Sequence, residues 1–278
     1  MFGKPFLFST NALICNHFYR NLQKPIIKQS MLNRILIIYC LTFLCAINAS
    51  SQIYKYIGME DGLSSRRVLS IQQDAQDYMW ILTHKGVDRF DGKHFCHYKL
   101  LSKDEKTVNF YPNLNQLIVD KDNILWEYGK DGLAFYYNQM KDSFQLAFNA
   151  KEEYEEVKQY PITATYFDKK DRIWFCSGKK IILFDTKSQS SRCIREGISE
   201  DITCITEGKN NLYYFTTGKN IYKVEMNEEK KFNTEVINLD DISVINYIYY
   251  HNETDLLIIS TLLNGLYIYN PSTMIVHQ

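Results

Sequence analysis

One pattern returns five times between residues 68 and 277, and it constrains the fold more than any other feature of the chain. It runs as an apolar stretch, an acidic turn, an aromatic residue, a Gly/Lys turn and a second apolar stretch. The copies read "VLSIQQDAQDYMWILTHKGVDRFDGKHFCHY" from Val68, "LNQLIVDKDNILWEYGKDGLAFYYN" from Leu114 and "ITATYFDKKDRIWFCSGKKIILFD" from Ile162. They continue as "ITCITEGKNNLYYFTTGKNIYKV" from Ile202 and "VINYIYYHNETDLLIISTLLNGLYIYN" from Val244. Aligned on the aromatic position, Trp80, Trp126, Trp174, Tyr213 and Leu257 are equivalent, with spacings of 46, 48, 39 and 44 residues.

Each copy splits into four short strand segments separated by turn residues. In the first, Val68–Gln73, Tyr78–Thr83, Val87–Phe90 and His94–Lys99 are joined by Asp74–Asp77, His84–Gly86 and the strong hairpin pair Asp91–Gly92. Four strands in about 40–50 residues is the period of a propeller blade. Helical repeats of this length would show apolar spacings of three and four, and these do not. The expectation is an all-β propeller of five four-stranded blades near 68–99, 114–148, 162–195, 202–237 and 244–277. The recurring aromatic fits a wedge between neighbouring blades. Asp74, Asp77, Asp91, Asp120, Asp122, Asp168 and Asp171 fall at hairpins, where a carboxylate accepts from nearby backbone N–H groups. Turn-making explains an aspartate in nearly every copy; catalysis would single out one.

The stretch "EDGLSSRRVLSIQQDAQDYMWILTHKGVDRFDG" strongly resembles the two-component-regulator propeller repeat. Asp61, Gly62, Leu63, Ser64, Ser65, Val68, Ile71, Asp74, Trp80, Thr83, Gly86, Arg89, Phe90, Asp91 and Gly92 match it, while Arg66, Asp77 and Leu82 depart from it. The resemblance implies the periplasmic sensor region of hybrid two-component regulators. In that family the propellers precede a β-sandwich, a membrane helix, a histidine kinase and DNA-binding modules, and the systems sense oligosaccharides released from glycans. It also implies a seven-bladed ring. The fifth copy supplies its own outer strand near Thr273–His277, and "IYKYI" at Ile53–Ile57 is a spare strand. The expectation is therefore an open, partial ring whose first and fifth blades expose apolar faces that missing blades or a sensor partner chain would cover.

Composition supports a buried core: 45% of the 278 residues are apolar and 14% aromatic. Of the 32 basic residues five lie within the first 50, which hold no acidic residue, so the body carries 27 basic against 32 acidic. Such a body lacks the basic footprint of nucleic-acid binding. The segment "MLNRILIIYCLTFLCAINASSQ" reads as a secretory signal over 31–51, with Arg34, an apolar run from Ile35 to Ile47, and small residues from Ala49. Translation is expected to begin at Met31, with residues 1–30 a gene-model extension and cleavage between Ala49 and Gln52. An uncleaved anchor in the inner membrane is the rival. Either way the body is expected to be exported, and the resemblance implies the periplasm.

Four cysteines remain beyond the leader. Cys96 and Cys176 read as buried thiols, and Cys193 and Cys204 are open to pairing or not. No metal set emerges: His94, Cys96 and His97 alternate along one strand, and the acidic "DKDN" loop at Asp120 lacks the ligands of a calcium loop. The inner-strand segments "VLSI", "LNQL", "ITAT", "ITCI" and "VINY" carry no Asp, Glu or His, which argues against a propeller glycosidase or lyase. No cofactor is expected. The candidate ligand contacts are Arg66 and Arg67 before the first inner strand and Tyr111 and Asn113 before the second. The leading functional reading is a non-catalytic module that binds oligosaccharide. The alternatives are a propeller that mediates protein contacts or has lost its ligand and, third, an enzyme.

Overall fold

The computed structural model describes residues 31, 33–39, 55–101, 115–194, 198, 200–226, 232–239 and 242–277. The chain divides into two units, Met1–Tyr56 and Ile57–Gln278. In the first, residues 33–39 are helical and exposed. The expected cleavage region at 49–52 lies outside the described residues. Among the described residues no helix is long and apolar enough to cross a membrane.

The second unit is five antiparallel blades in sequence order. The first comprises β1 (Val68–Gln73), β2 (Met79–Thr83), β3 (Gly86–Phe90) and β4 (Phe95–Tyr98). The chain then forms β5 (Leu100–Leu101), which pairs in parallel with the outer strand of the second blade. That blade holds β6 (Gln116–Val119), β7 (Leu125–Tyr128), β8 (Leu133–Asn138) and β9 (Ser143–Asn149), so it has five strands rather than the expected four. The extra strand shields backbone groups that would otherwise lie bare at a sheet edge. A short helix, Ala150–Glu153, leads to the third blade: β10 (Ile162–Phe167), β11 (Arg172–Ser177), β12 (Lys180–Asp185) and β13 (Ser190–Ile194). The fourth holds β14 (Cys204–Glu207), β15 (Leu212–Thr217), β16 (Asn220–Met226) and β17 (Phe232–Ile237). The fifth holds β18 (Ile245–His251), β19 (Leu256–Thr261), β20 (Leu266–Asn270) and β21 (Ile275–His277). The spare strand does not form over its described part, since Lys55–Ile57 is irregular, and Ile53 and Tyr54 lie outside the described residues.

The core sits between blades. Trp80 and Leu82 pack on Leu117, Leu125 and Phe135 of the second blade. Trp126 packs on Phe175 and Phe184 of the third, and Trp174 on Phe215 of the fourth. Tyr214 of β15 stacks on Tyr250 of the fifth blade with ring centroids 5.8 Å apart. Two alignments made from sequence are corrected here. Trp80, Trp126, Trp174 and Tyr214 lie opposite Gln72, Ile118, Tyr166 and Thr206 across their first hairpins, and Ile258 lies opposite Tyr249. Tyr213 and Leu257 stand one residue earlier and face the preceding blade; Tyr213 lies 4.5 Å from Trp174, ring to ring. A one-residue slip on a strand reverses the face.

The turns joining first to second strands link the blades at one end. Asn123 Oδ1 accepts from Ala75 N at 3.0 Å, Lys121 Nζ donates to Lys169 O, and Lys169 Nζ donates to Asn252 Oδ1 at 2.7 Å. The outward faces of the terminal blades differ. The fifth exposes Tyr247, Tyr249, Leu266 and Ile275. On the first, Ile71 is exposed, but the centre is polar: buried Asp88 accepts from Ser64 N at 2.8 Å and lies 2.8 Å from His97 Nδ1. The apolar expectation thus describes the fifth blade and only the inner edge of the first.

Candidate functional site

The first strands of blades one and two, three and four, and four and five neighbour each other. Their leading halves enclose a cavity of about 330 Å³, to which the inner strands or strand starts of all five blades contribute. Its polar lining consists of the amides of Asn115, Gln116 and Asn246 and the hydroxyls of Thr165 and Thr203. Tyr247, 58% exposed, belongs to the lining, and Lys130, from the β7–β8 turn, is its charged residue. A groove of similar volume, about 360 Å³, lies between blades one and two at the opposite end of β1. Its wall is the interblade wedge itself, with the Arg89 guanidinium 4.9 Å over Tyr78 and donating to Tyr137 Oη at 3.1 Å. We read that groove as packing and the axial cavity as the site.

Behind the cavity lies a polar network that sequence reasoning missed. Asn115 Nδ2 donates to Glu127 Oε1 at 2.6 Å and to Asp131 Oδ2 at 3.0 Å. Glu127 is wholly buried, and its Oε2 and Asn115 Oδ1 have no partner among the described residues. Burial, reinforced by the neighbouring Asp131, raises the Glu127 carboxyl well above the ordinary glutamate range. Burial also raises Asp131, against the hydrogen bonds from Asn115 and Leu133 N. Gly129 makes the space: a Cβ there would lie 1.7 Å from Asn115 Oδ1. The signal was present in the repeats. Where the second blade has Glu127 the others have Ile81, Phe175, Phe215 and Ile259, and where it has Gly129 the others have Thr83, Ser177, Thr217 and Thr261. The search for acids covered only inner strands, and these two come from β7 and the turn after it.

Arg66 and Arg67 are exposed beside the start of β1, at the cavity's end of the strands but outside its lining. Tyr111 and Asn113 lie outside the described residues. Asp91 Oδ1 accepts from Lys93 N at 2.7 Å and His94 N at 2.6 Å, with Gly92 at φ 95°. All four described cysteines are free thiols. Cys176 is buried as expected, but Cys96 is exposed because it sits on the outer strand. Among the described residues no group of three or more His, Cys, Asp or Glu is placed to hold a metal.

Residues 62–85 match the family model of the two component regulator propeller. Comparison with curated proteins gave no match. Among solved structures the chain is similar to the extracellular domain of the putative hybrid two component system BT3049 from B. thetaiotaomicron, with TM-score 0.61 and 21% identity over 80% of this chain. It is also similar to that of the putative one component system BT4673 from the same organism, with TM-score 0.60 and 17% identity over 83% of this chain. It spans 31% and 32% of those two chains, about a third of their length. Virginiamycin B lyase from Staphylococcus aureus matches with TM-score 0.56 and 13% identity, over 76% of this chain and 69% of its own. The chain is a β-propeller that carries a two-component-regulator propeller repeat in its first blade.

Proposed function

We propose that this chain is the exported sensing propeller of a two-component regulatory system, and that it binds a glycan-derived oligosaccharide without turning it over. The observation that carries this reading is the axial cavity. The exposed amides of Gln116 and Asn246, the hydroxyls of Thr165 and Thr203 and the exposed Tyr247 line it together. Sugars are recognised by such groups, the amides bonding to hydroxyls and the ring stacking under a pyranose face. Among the described residues neither carboxylate nor imidazole belongs to that lining, which favours binding over glycosidic chemistry. The likeness to extracellular domains of putative two- and one-component systems supports the same role. Calorimetric titration against neutral and acidic oligosaccharides tests it: binding that Tyr247→Ala and Asn246→Ala each weaken, with no product formed, is the expected result. Product formation would revive the enzyme reading. A second reading, a propeller that only contacts proteins, is favoured by the exposed apolar face of the fifth blade. Silence across the panel would favour it.

A further inference from the structure

We propose that the ligand of the axial cavity is an acidic sugar whose carboxylate or sulfate oxygens are held by Lys130. This rests on the reading of the cavity as an oligosaccharide site and names the class of sugar. The first support is the arrangement of charge. Lys130 is the charged residue of the lining, and it makes no ion pair among the described residues. The acids nearest to it in sequence are engaged elsewhere. Asp131 accepts from Asn115 Nδ2 and from Leu133 N at 3.1 Å, and Glu127 is buried behind Asn115. Lys130 lines the cavity together with Thr165 of the third blade and Thr203 and Cys204 of the strand start of the fourth. Burial raises the Cys176 and Cys204 thiols, and the Lys130 ammonium acts on both in the opposite direction.

The second support is a displacement within the repeat. The turn between second and third strands reads His84–Lys85, Gly178–Lys179 and Gly218–Lys219 in blades one, three and four. In blade two it reads Lys130–Asp131, with the lysine one position earlier. Lys85, Lys179 and Lys219 lie outside the cavity lining, whereas Lys130 belongs to it. The shifted lysine and the aspartate that follows it are parts of one arrangement. Asp131 and Glu127 clamp the amide of Asn115, and Asn115 forms the wall beside Lys130. An ammonium among neutral amides and hydroxyls favours an anion over a neutral sugar, because no carboxylate among the described lining residues competes for it. Lysine binds carboxylate and sulfate alike as a point charge.

The test is calorimetry on the full chain with three probes: trigalacturonic acid for carboxylate, a sulfated κ-carrageenan tetrasaccharide, which has no carboxylate, for sulfate, and maltotriose as the neutral sugar. At least one acidic probe is expected to bind about tenfold or more tightly than maltotriose, as a hydrogen bond to a charged group implies. That preference should shrink with added salt, vanish in Lys130→Met, persist in Lys130→Arg, and survive Lys179→Met on the neighbouring turn. Which acidic probe binds distinguishes carboxylate from sulfate. Maltotriose binding as tightly as both acids, with Lys130→Met unchanged, overturns this inference and leaves the oligosaccharide site standing. Silence with all three probes overturns the site itself. A thermal melt of Lys130→Met that matches wild type separates lost binding from lost folding.

Discussion

The indole N–H of Trp174 donates to Asp168 Oδ2 at 2.8 Å, six residues before it and across the first hairpin of its blade. The same bond joins Trp126 to Asp120 at 2.8 Å and Trp80 to Asp74 at 2.7 Å. In each case the other carboxylate oxygen accepts two backbone N–H groups of the turn. One aspartate thus shapes the hairpin and satisfies the donor of the interblade wedge. In the fourth blade Gly208 and Tyr214 stand where the first three have aspartate and tryptophan, so the acceptor and the indole that needs it are lost together.

Asp168→Ala should therefore be costly. It strands a buried indole N–H and removes the 2.6 Å ion pair with Arg172 and the bond from Tyr213 Oη. A loss of about 3–5 kcal/mol is expected, as for breaking a buried pair from one side. Asp74→Ala, in a more open turn without such a pair, should lose about 1–3 kcal/mol. Urea titrations of both variants check this order, and equal losses would refute it.

Gly129 predicts a double-mutant result. Gly129→Ala places a methyl group where Asn115 Oδ1 now sits, so it should destabilise the chain or eject the Asn115 side chain. With Asn115→Ala present the methyl group has room, and Gly129→Ala should become nearly neutral. A coupling of about 1–3 kcal/mol between the two changes is expected. Additive effects would mean the two residues do not share that space.

The buried carboxyl gives a pH dependence of known sign. A raised Glu127 in the folded chain means the proton is bound more tightly there than in the unfolded chain. That contribution is full below the ordinary glutamate value and is lost as pH rises through the folded-state value. Glu127→Gln cannot lose the proton, so it should remove this part of the decline and be more stable than wild type at pH 8. Asp131, raised by burial as well, leaves a residual slope of the same sign. Denaturation midpoints from pH 4 to 8 decide it; parallel curves for the two proteins would count against it.

Much of this fold was legible because turn chemistry and strand alternation are local. Val68–Gln73 was bounded from sequence as it stands in the structure, and the remaining strands of that blade to within a residue or two at their ends. The aspartates read as turn-makers do make turns, although their bond to the wedge tryptophan needs the hairpin to be closed. The slip at Tyr213 arose because "LYYF" offers two adjacent aromatics, and only pairing with the preceding strand decides which one faces the next blade. Leu257 and Ile258 pose the same ambiguity. The cavity was illegible for a different reason: Asn115, Lys130, Thr203 and Tyr247 are far apart in sequence and meet only when the blades assemble around the axis. Glu127 could have been found, since a charge in a column of Ile and Phe is anomalous within the repeats themselves.

The fifth blade yields the last prediction. Its outward face bears Tyr249 at 47%, Leu266 at 52% and Ile275 at 51% exposure, with half-buried Ile258 and Ile268 between them. The positions equivalent to Ile258 and Leu266 in blades one to four (Trp80 and Val87, Trp126 and Ala134, Trp174 and Ile181, Tyr214 and Ile221) are all buried, so this face is built like an interface. An uncovered apolar sheet of a few hundred Å² promotes association. Residues 52–278 expressed alone should therefore self-associate at tens of micromolar, and Leu266→Lys with Ile275→Lys should restore a monomer without lowering the denaturation midpoint. The first blade should behave differently. Its outward face centres on Asp88, held by Ser64 N and His97, and a buried carboxylate with satisfied partners resists sheet-on-sheet docking. Ile71→Lys on that side should leave association unchanged. Sedimentation velocity on the three proteins separates the faces, and a wild-type chain that stays monomeric at these concentrations would show that the fifth blade needs no cover.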